Sequence, residues 1–80
     1  MGKYDPLCDH LRRARGSIEL TFTEIEALVG GLPPSAYRYS AWWSNNPTRH
    51  VQASAWLDAG RQVVSVDLVG EHVSFSARTR

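Results

Sequence analysis

The strongest constraint on the fold is a strict alternation of apolar and polar residues over the last quarter of the chain. The apolar residues at alternate positions on the two sides of Gly70-Glu71 are Val64, Val66, Leu68, Val73, Phe75 and Ala77. Gly70-Glu71 predicts a two-residue turn. The predicted pairs are Leu68 with Val73, Val66 with Phe75 and Val64 with Ala77. Since a slip of one residue would break every apolar pair, we expect a β-hairpin.

The chain has 80 residues, which predicts a single domain over residues 1–80. A domain of this size buries only about 60% of its unfolded surface, so its core must be built from a few large residues. The lone Cys8 cannot form an internal disulfide, which favours a reducing compartment. No segment has the apolar length of a membrane span or of a signal peptide. We therefore expect a cytoplasmic protein.

Two helices and a strand are predicted in the first half of the chain. Asp5-Pro6 is typical of a helix start, and the first helix is expected from Pro6 to Ala14. The alternation in Ser17–Phe22 predicts a short strand. Thr23 and Glu26 have the spacing of a capping box and begin a second helix, which Gly30-Gly31 ends.

Two further helices are predicted before the hairpin. Ser35 follows two prolines and begins a third helix of about nine residues. On a continuous helix, Trp43 and Trp42 point in different directions, so we expect Trp42 to be partly exposed. The fourth helix is expected from about Thr48 to Ala59, with Gly60 as its C-cap.

This order of elements predicts an α+β fold that is winged-helix-like, with helices packed on a small antiparallel sheet made by the early strand and the C-terminal hairpin. In winged-helix proteins the helix before the hairpin commonly enters the DNA major groove. The net charge of +1 is uninformative, but no acidic residue lies between Glu26 and Asp58. The candidate contacts to double-stranded DNA are Arg38, Trp42, Asn45, Asn46, Thr48, Arg49, His50, Gln52 and Ser54. Asn45 and Asn46 are equally typical of a turn.

Five sequence blocks appear in a fixed order, namely KYDPL, LTFTEIEALVG, LPPSA, AWWSNN and AWLDAG. In these blocks the chain resembles an uncharacterised bacterial family of small domains, and the resemblance covers nearly the whole chain. The resemblance implies one compact winged-helix-like fold without assigned catalytic residues. It implies no substrate.

Two other classes of function remain open. An enzyme needs convergent reactive groups, whereas Cys8, His10, His50 and His72 are dispersed, and Cys8 and His10 lie about 200° apart on a helix. We therefore expect no catalysis, no metal and no cofactor. The stronger alternative is a protein-interaction module, in which Tyr37, Arg38 and Trp42 would contact a protein partner. This alternative includes a homodimer formed through the exposed edge of the sheet, or an accessory role beside a nuclease or regulator.

Overall fold

The computed structural model describes residues 2–78, in which helices and strands follow one another in the predicted order. The elements are α1 (Asp5–Arg13), β1 (Ile18–Thr21), α2 (Phe22–Val29), α3 (Pro34–Arg38), a 3₁₀ helix (Ser40–Trp43), α4 (Ala53–Leu57), β2 (Val63–Asp67) and β3 (His72–Phe75). The three strands form one antiparallel sheet in the order β1-β3-β2. The predicted α+β class, with the early strand added to a C-terminal hairpin, is therefore confirmed.

The register of the hairpin differs by two residues from the predicted one. Val66 pairs with Val73, and the last pair, Asp67 with His72, leaves a four-residue loop over residues 68–71. The Asp67 carboxylate accepts a hydrogen bond from the amide of Gly70 at 2.9 Å. A Cβ atom at Gly70 would lie 2.8 Å from the other oxygen of this carboxylate, so a larger residue there would displace the Asp67 side chain. A shift by two residues leaves the inward and outward faces of the strand unchanged.

Strand β2 contains a bulge between Val63 and Ser65, where its pairing with β3 shifts. Because of the extra residue, Val63 is half-buried while Val64 is 68% exposed. The predicted pair of Val64 with Ala77 is therefore wrong. On the central strand β3, Val73 and Phe75 are both buried, as the alternation predicts.

The second helix begins earlier than predicted, because the segment TFTE carries a nearer capping box. The Thr21 hydroxyl accepts the amide of Glu24 at 3.1 Å, and the Glu24 carboxylate accepts the amide of Thr21 at 2.9 Å. These two hydrogen bonds make Phe22 the first helical residue, and its side chain is fully buried. The predicted box of Thr23 and Glu26 is therefore wrong by two residues.

The third predicted helix is broken at Tyr39, and the break changes the directions in which the side chains of Trp42 and Trp43 point. Tyr39 is extended, with φ −127° and ψ 119°, and it separates α3 from the 3₁₀ helix. Without a continuous helix, the two indoles are no longer forced in different directions. Trp42 is 9% exposed and Trp43 is buried, with their rings 4.6 Å apart. The prediction of an exposed Trp42 is therefore wrong.

The core is an aromatic cluster with Trp43 at its centre. Its ring stacks on Phe22 at a centroid distance of 4.9 Å and on Trp56 at 6.0 Å. Its Nε1–H group donates a hydrogen bond to the Ala36 carbonyl at 2.9 Å. Leu7 and Leu11 of α1 belong to the same buried cluster. Large rings thus fill most of the interior of this small domain.

A buried arginine joins the helices to the sheet. Arg61, which follows the left-handed Gly60 after α4, is 1% exposed. Its guanidinium donates four hydrogen bonds of 2.5 to 2.8 Å to carbonyl oxygens, which belong to Leu11, Ala14, Gly16 and Ser76. The first two carbonyls lie at the C-terminal end of α1, where the helix dipole favours a cation. The charge is therefore stabilised by backbone dipoles, with no carboxylate among these partners.

Burial lowers the pKa of the Arg61 guanidinium, and the positive charge of Arg78 lowers it further. The ordinary pKa of arginine is so high that this group stays charged at neutral pH. A fixed cation with a planar set of five donors suits a cluster of carbonyls better than an ammonium group does. Sequence reasoning gave Arg61 no role.

Candidate functional site

The helix predicted to read DNA is short and faces inward. Regular helix is confined to α4, Ala53–Leu57, whereas residues 47–52 form turns in place of the predicted helical start at Thr48. Five residues give a helix of only about 7.5 Å. Every residue of α4 is buried or half-buried. This helix therefore presents no side-chain row that could enter a groove.

Gln52, the residue before α4, is buried. Its side chain points into the protein and donates a hydrogen bond from Nε2 to the Trp42 carbonyl at 2.7 Å, and the residue is 7% exposed. This hydrogen bond joins the segment before α4 to the 3₁₀ helix. Gln52 and Trp42 therefore have structural roles, and as buried residues they are poorly placed for the contacts to nucleic acid that were predicted for them.

Asn45 also has a structural role. Its Oδ1 accepts hydrogen bonds from the Trp56 indole at 3.0 Å and from the Val63 amide at 2.8 Å. Its Nδ2 donates to the Val63 carbonyl at 3.0 Å. One side chain therefore joins the loop, α4 and the first residue of β2. These three bonds use both lone pairs of Oδ1 and fix the orientation of the amide, although the residue is exposed.

Asn45→Ala is expected to reduce the free energy of unfolding by about 2 kcal/mol, because the Trp56 indole and both Val63 backbone groups lose their partner. Asn46→Ala is the matched control. It removes one hydrogen bond in an exposed turn and should cost less than about 1 kcal/mol. Urea denaturation followed by tryptophan fluorescence measures both variants. Equal effects for the two would contradict the structural role of Asn45.

Asn46 and Thr48 form a turn, which agrees with the alternative reading of the asparagine pair. The Asn46 Oδ1 accepts the amide of Thr48 at 3.0 Å, and its carbonyl accepts the amide of His50 at 3.0 Å. The side chains of both turn residues remain on the surface. This turn determines the direction of the side chain of Arg49, the next residue.

The outer flank of α4 faces α1 across a groove of about 380 Å³. Ser54 and Ala55 line this groove on one side, and Cys8 lines it on the other. The acidic residues Asp5 and Asp58 also line it. Ser54 therefore lies beside carboxylates, which would repel a phosphate backbone. The structure separates Ser54 from the other candidate residues that remain exposed.

The exposed candidates that remain lie between α3 and α4, and we call residues 38–50 the interhelical surface. This stretch contains no carboxylate. Arg38 and Arg49 are exposed, and His50 is half-exposed. Within the described residues, Arg12 pairs with Asp9, and His72 pairs with Glu19 and Asp67; these are the only ion pairs. Neither Arg38 nor Arg49 therefore has an acidic partner there.

Sequence reasoning missed one exposed residue of the interhelical surface, Tyr39. Its side chain is 61% exposed, because the break after α3 turns it away from the core. On a continuous helix, Tyr39 would share a face with Trp43, four positions later. No local sequence signal marks the break. Tyr39 follows Arg38 in the chain, and both residues are exposed.

The tip of the hairpin is unlike a DNA-binding wing. Its flanks carry Asp67 and Glu71, and its other ionisable residue is His72. The imidazole of His72 lies 3.3 Å from both Glu19 and Asp67, across all three strands. Hydrogen bonds from backbone amides, chiefly that of Gly70, and the neighbouring His72 lower the pKa of Asp67. The tip therefore stays acidic at neutral pH.

The reactive side chains are not gathered into one site. Burial raises the pKa of the Cys8 thiol, so at neutral pH it is a poor nucleophile. No three histidine, cysteine or acidic side chains within residues 2–78 are placed to hold a metal ion together. The Glu26 carboxylate accepts a hydrogen bond from Tyr37 and, with burial, raises the pKa of this phenol to about 12. Tyr37 thus has a structural role.

The structure defines a small α+β domain with an aromatic core, in which the stretch 38–50 between the helical parts contains no acidic residue. A family model described as "Domain of unknown function (DUF7662)" matches residues 4–79, and the chain belongs to that family. A search of the curated proteins and a search of the solved structures each gave no match. None of the helices over residues 2–78 is long and apolar enough to cross a membrane.

Proposed function

We propose that this domain is a non-catalytic nucleic-acid-binding module whose contact surface is the interhelical surface. The supporting observation is that Arg38 and Arg49 are exposed on a stretch without carboxylates, and neither has an acidic partner within the described chain. Unpaired guanidinium groups are well suited to phosphate oxygens, since their planar donors can form two parallel hydrogen bonds.

The winged-helix likeness supports this proposal, although the route of contact differs from the one expected from sequence. Here α4 is buried, and the residues before it carry the exposed donors Thr48 and Arg49 together with half-exposed His50. Contacts of this kind position a protein on the phosphate backbone without reading base sequence. We place the function in the bacterial cytoplasm, where the Cys8 thiol would remain reduced.

Removal of either arginine is expected to weaken nucleic-acid binding. At about 50 mM salt the wild-type domain should bind short DNA in the micromolar range, with an affinity that falls steeply as salt rises. Arg38→Ala and Arg49→Ala should each reduce the slope of log K against log salt by about one. Fluorescence anisotropy titrations over a range of salt concentrations measure both quantities.

Arg13→Ala is the matched control. Arg13 is also exposed, and its substitution removes the same charge from the end of α1. It should leave the salt slope unchanged. If Arg13→Ala weakens binding as much as the other two variants, the interhelical surface is not the contact. If the wild-type domain does not bind DNA or RNA at micromolar concentration, the proposal fails and the second candidate gains support.

The second candidate is a protein-interaction module, and the groove between α1 and α4 favours it. The groove is lined mainly by apolar atoms, with Tyr4 and Ala55 among its walls and the exposed Val51 at its rim. Asp5 and Asp58 at the same groove would suit a basic partner segment. Binding of nucleic acid through the interhelical surface would leave this groove free.

A further inference from the structure

We infer that the ligand of the interhelical surface is single-stranded nucleic acid, with an unpaired base stacked on Tyr39; this inference rests on the proposed function. The ring of Tyr39 is 61% exposed, and Tyr39 follows the exposed Arg38 in the chain. Proteins that bind single strands combine cations along the backbone with aromatic rings on which bases stack. Both parts are present here on adjacent residues.

The geometry of the fold excludes the usual ways of reading a duplex. A major groove about 12 Å wide admits a helix or a two-stranded ribbon. The helix that stands in the recognition position, α4, spans five residues and has no exposed side chain. The ribbon of β2 and β3 ends in a tip that carries Asp67 and Glu71, which would be repelled by phosphates.

Tyr39 is free to act as a stacking platform. The ring contacts of the core involve other aromatic residues, and within residues 2–78 Tyr39 has no ring partner. The bases of a duplex are already stacked on one another, so an external ring gains little from them. The unstacked bases of a single strand can lie against the ring while phosphates reach Arg38 and Arg49.

The test compares an oligothymidine of about 15 nucleotides with a duplex of the same length, at about 50 mM salt, by fluorescence anisotropy. The single strand is expected to bind the wild-type domain about tenfold more tightly than the duplex. Tyr39→Leu should weaken single-strand binding about tenfold, because loss of one base stack has an effect of this order. Tyr39→Phe keeps the ring and should stay within about twofold of wild type.

The outcomes separate this inference from the proposed function. If the duplex binds as tightly as the single strand, or if Tyr39→Leu binds like wild type while Arg38→Ala is weakened, the stacking inference is overturned and nucleic-acid binding stands. If neither ligand binds the wild-type domain, both are overturned. Circular dichroism of Tyr39→Leu establishes that the variant is folded, as its exposed position leads us to expect.

Discussion

Arg61→Ala is expected to lower the free energy of unfolding by about 4 kcal/mol, the largest effect of any charge removal in this domain. The variant leaves four carbonyls without this donor, namely those of Leu11, Ala14, Gly16 and Ser76, and all of these residues except the exposed Gly16 are buried or half-buried. An unsatisfied buried acceptor costs about 1–3 kcal/mol, and water entering the vacated space offsets part of the total. Since small domains have only about 5–15 kcal/mol of stability, this loss is severe.

Arg61→Lys separates the contribution of the guanidinium's shape to stability from the contribution of its charge. Lysine keeps the positive charge near the end of α1 but offers a compact ammonium with three donors. We expect it to recover about half of the loss. Arg13→Ala, which removes an exposed arginine of α1, should change stability by less than about 0.5 kcal/mol. Urea denaturation compares the three variants, and a loss below about 1 kcal/mol for Arg61→Ala would contradict this account.

Trp43→Ala is expected to be similarly damaging, at about 3–5 kcal/mol, because it empties the centre of the aromatic core. The ring contacts Phe22, Trp42 and Trp56, so no single neighbour can fill the space without losing its own packing. The Ala36 carbonyl also loses its hydrogen bond. Thermal unfolding followed by far-ultraviolet circular dichroism measures the effect without relying on tryptophan fluorescence.

Trp43→Phe provides a milder test, should the alanine variant fail to fold. Phenylalanine keeps one aromatic ring but lacks the Nε1–H donor, and we expect a loss of about 2 kcal/mol. Tyr39→Leu, which changes an exposed aromatic residue four positions away, should remain within about 0.5 kcal/mol of wild type. If Trp43→Phe were as stable as wild type, the central role assigned to this indole would be wrong.

Much of the fold could be predicted from short-range signals. Asp5-Pro6 and Gly30-Gly31 mark the start of α1 and the end of α2, and the alternation in β3 predicts its buried face. Such signals act within a few residues, and they placed the elements in the correct order with the ends of α1 and α2 within about two residues. The start of α4 differs by five residues from the predicted one, and its C-cap is Asp58 in place of Gly60. The hairpin register was missed for the same reason, since it depends on the Asp67 side chain closing a longer turn.

The rest of the site depends on contacts between distant parts of the chain. Arg61 contacts a carbonyl 50 positions away, and Asn45 contacts a strand 18 positions away. Arginine, asparagine and glutamine are ordinarily surface residues, so sequence reasoning assigned Asn45 and Gln52 to a ligand. Side chains that satisfy buried backbone groups look like binding residues in a sequence. Arg38 and Arg49 remain exposed and His50 half-exposed, and no ion pair within the described residues involves these three side chains.

Asn45 has a consequence for how this protein behaves at high concentration. Strand β2 lies at one side of the sheet, where exposed backbone groups would invite the strand of another molecule. The amide of Asn45 already occupies both the N–H and the C=O of Val63, and the adjacent bulge distorts the next positions. An incoming strand would find no straight row of free donors and acceptors there. This single side chain thus hinders pairing with the strand of another molecule at the Val63 end of β2.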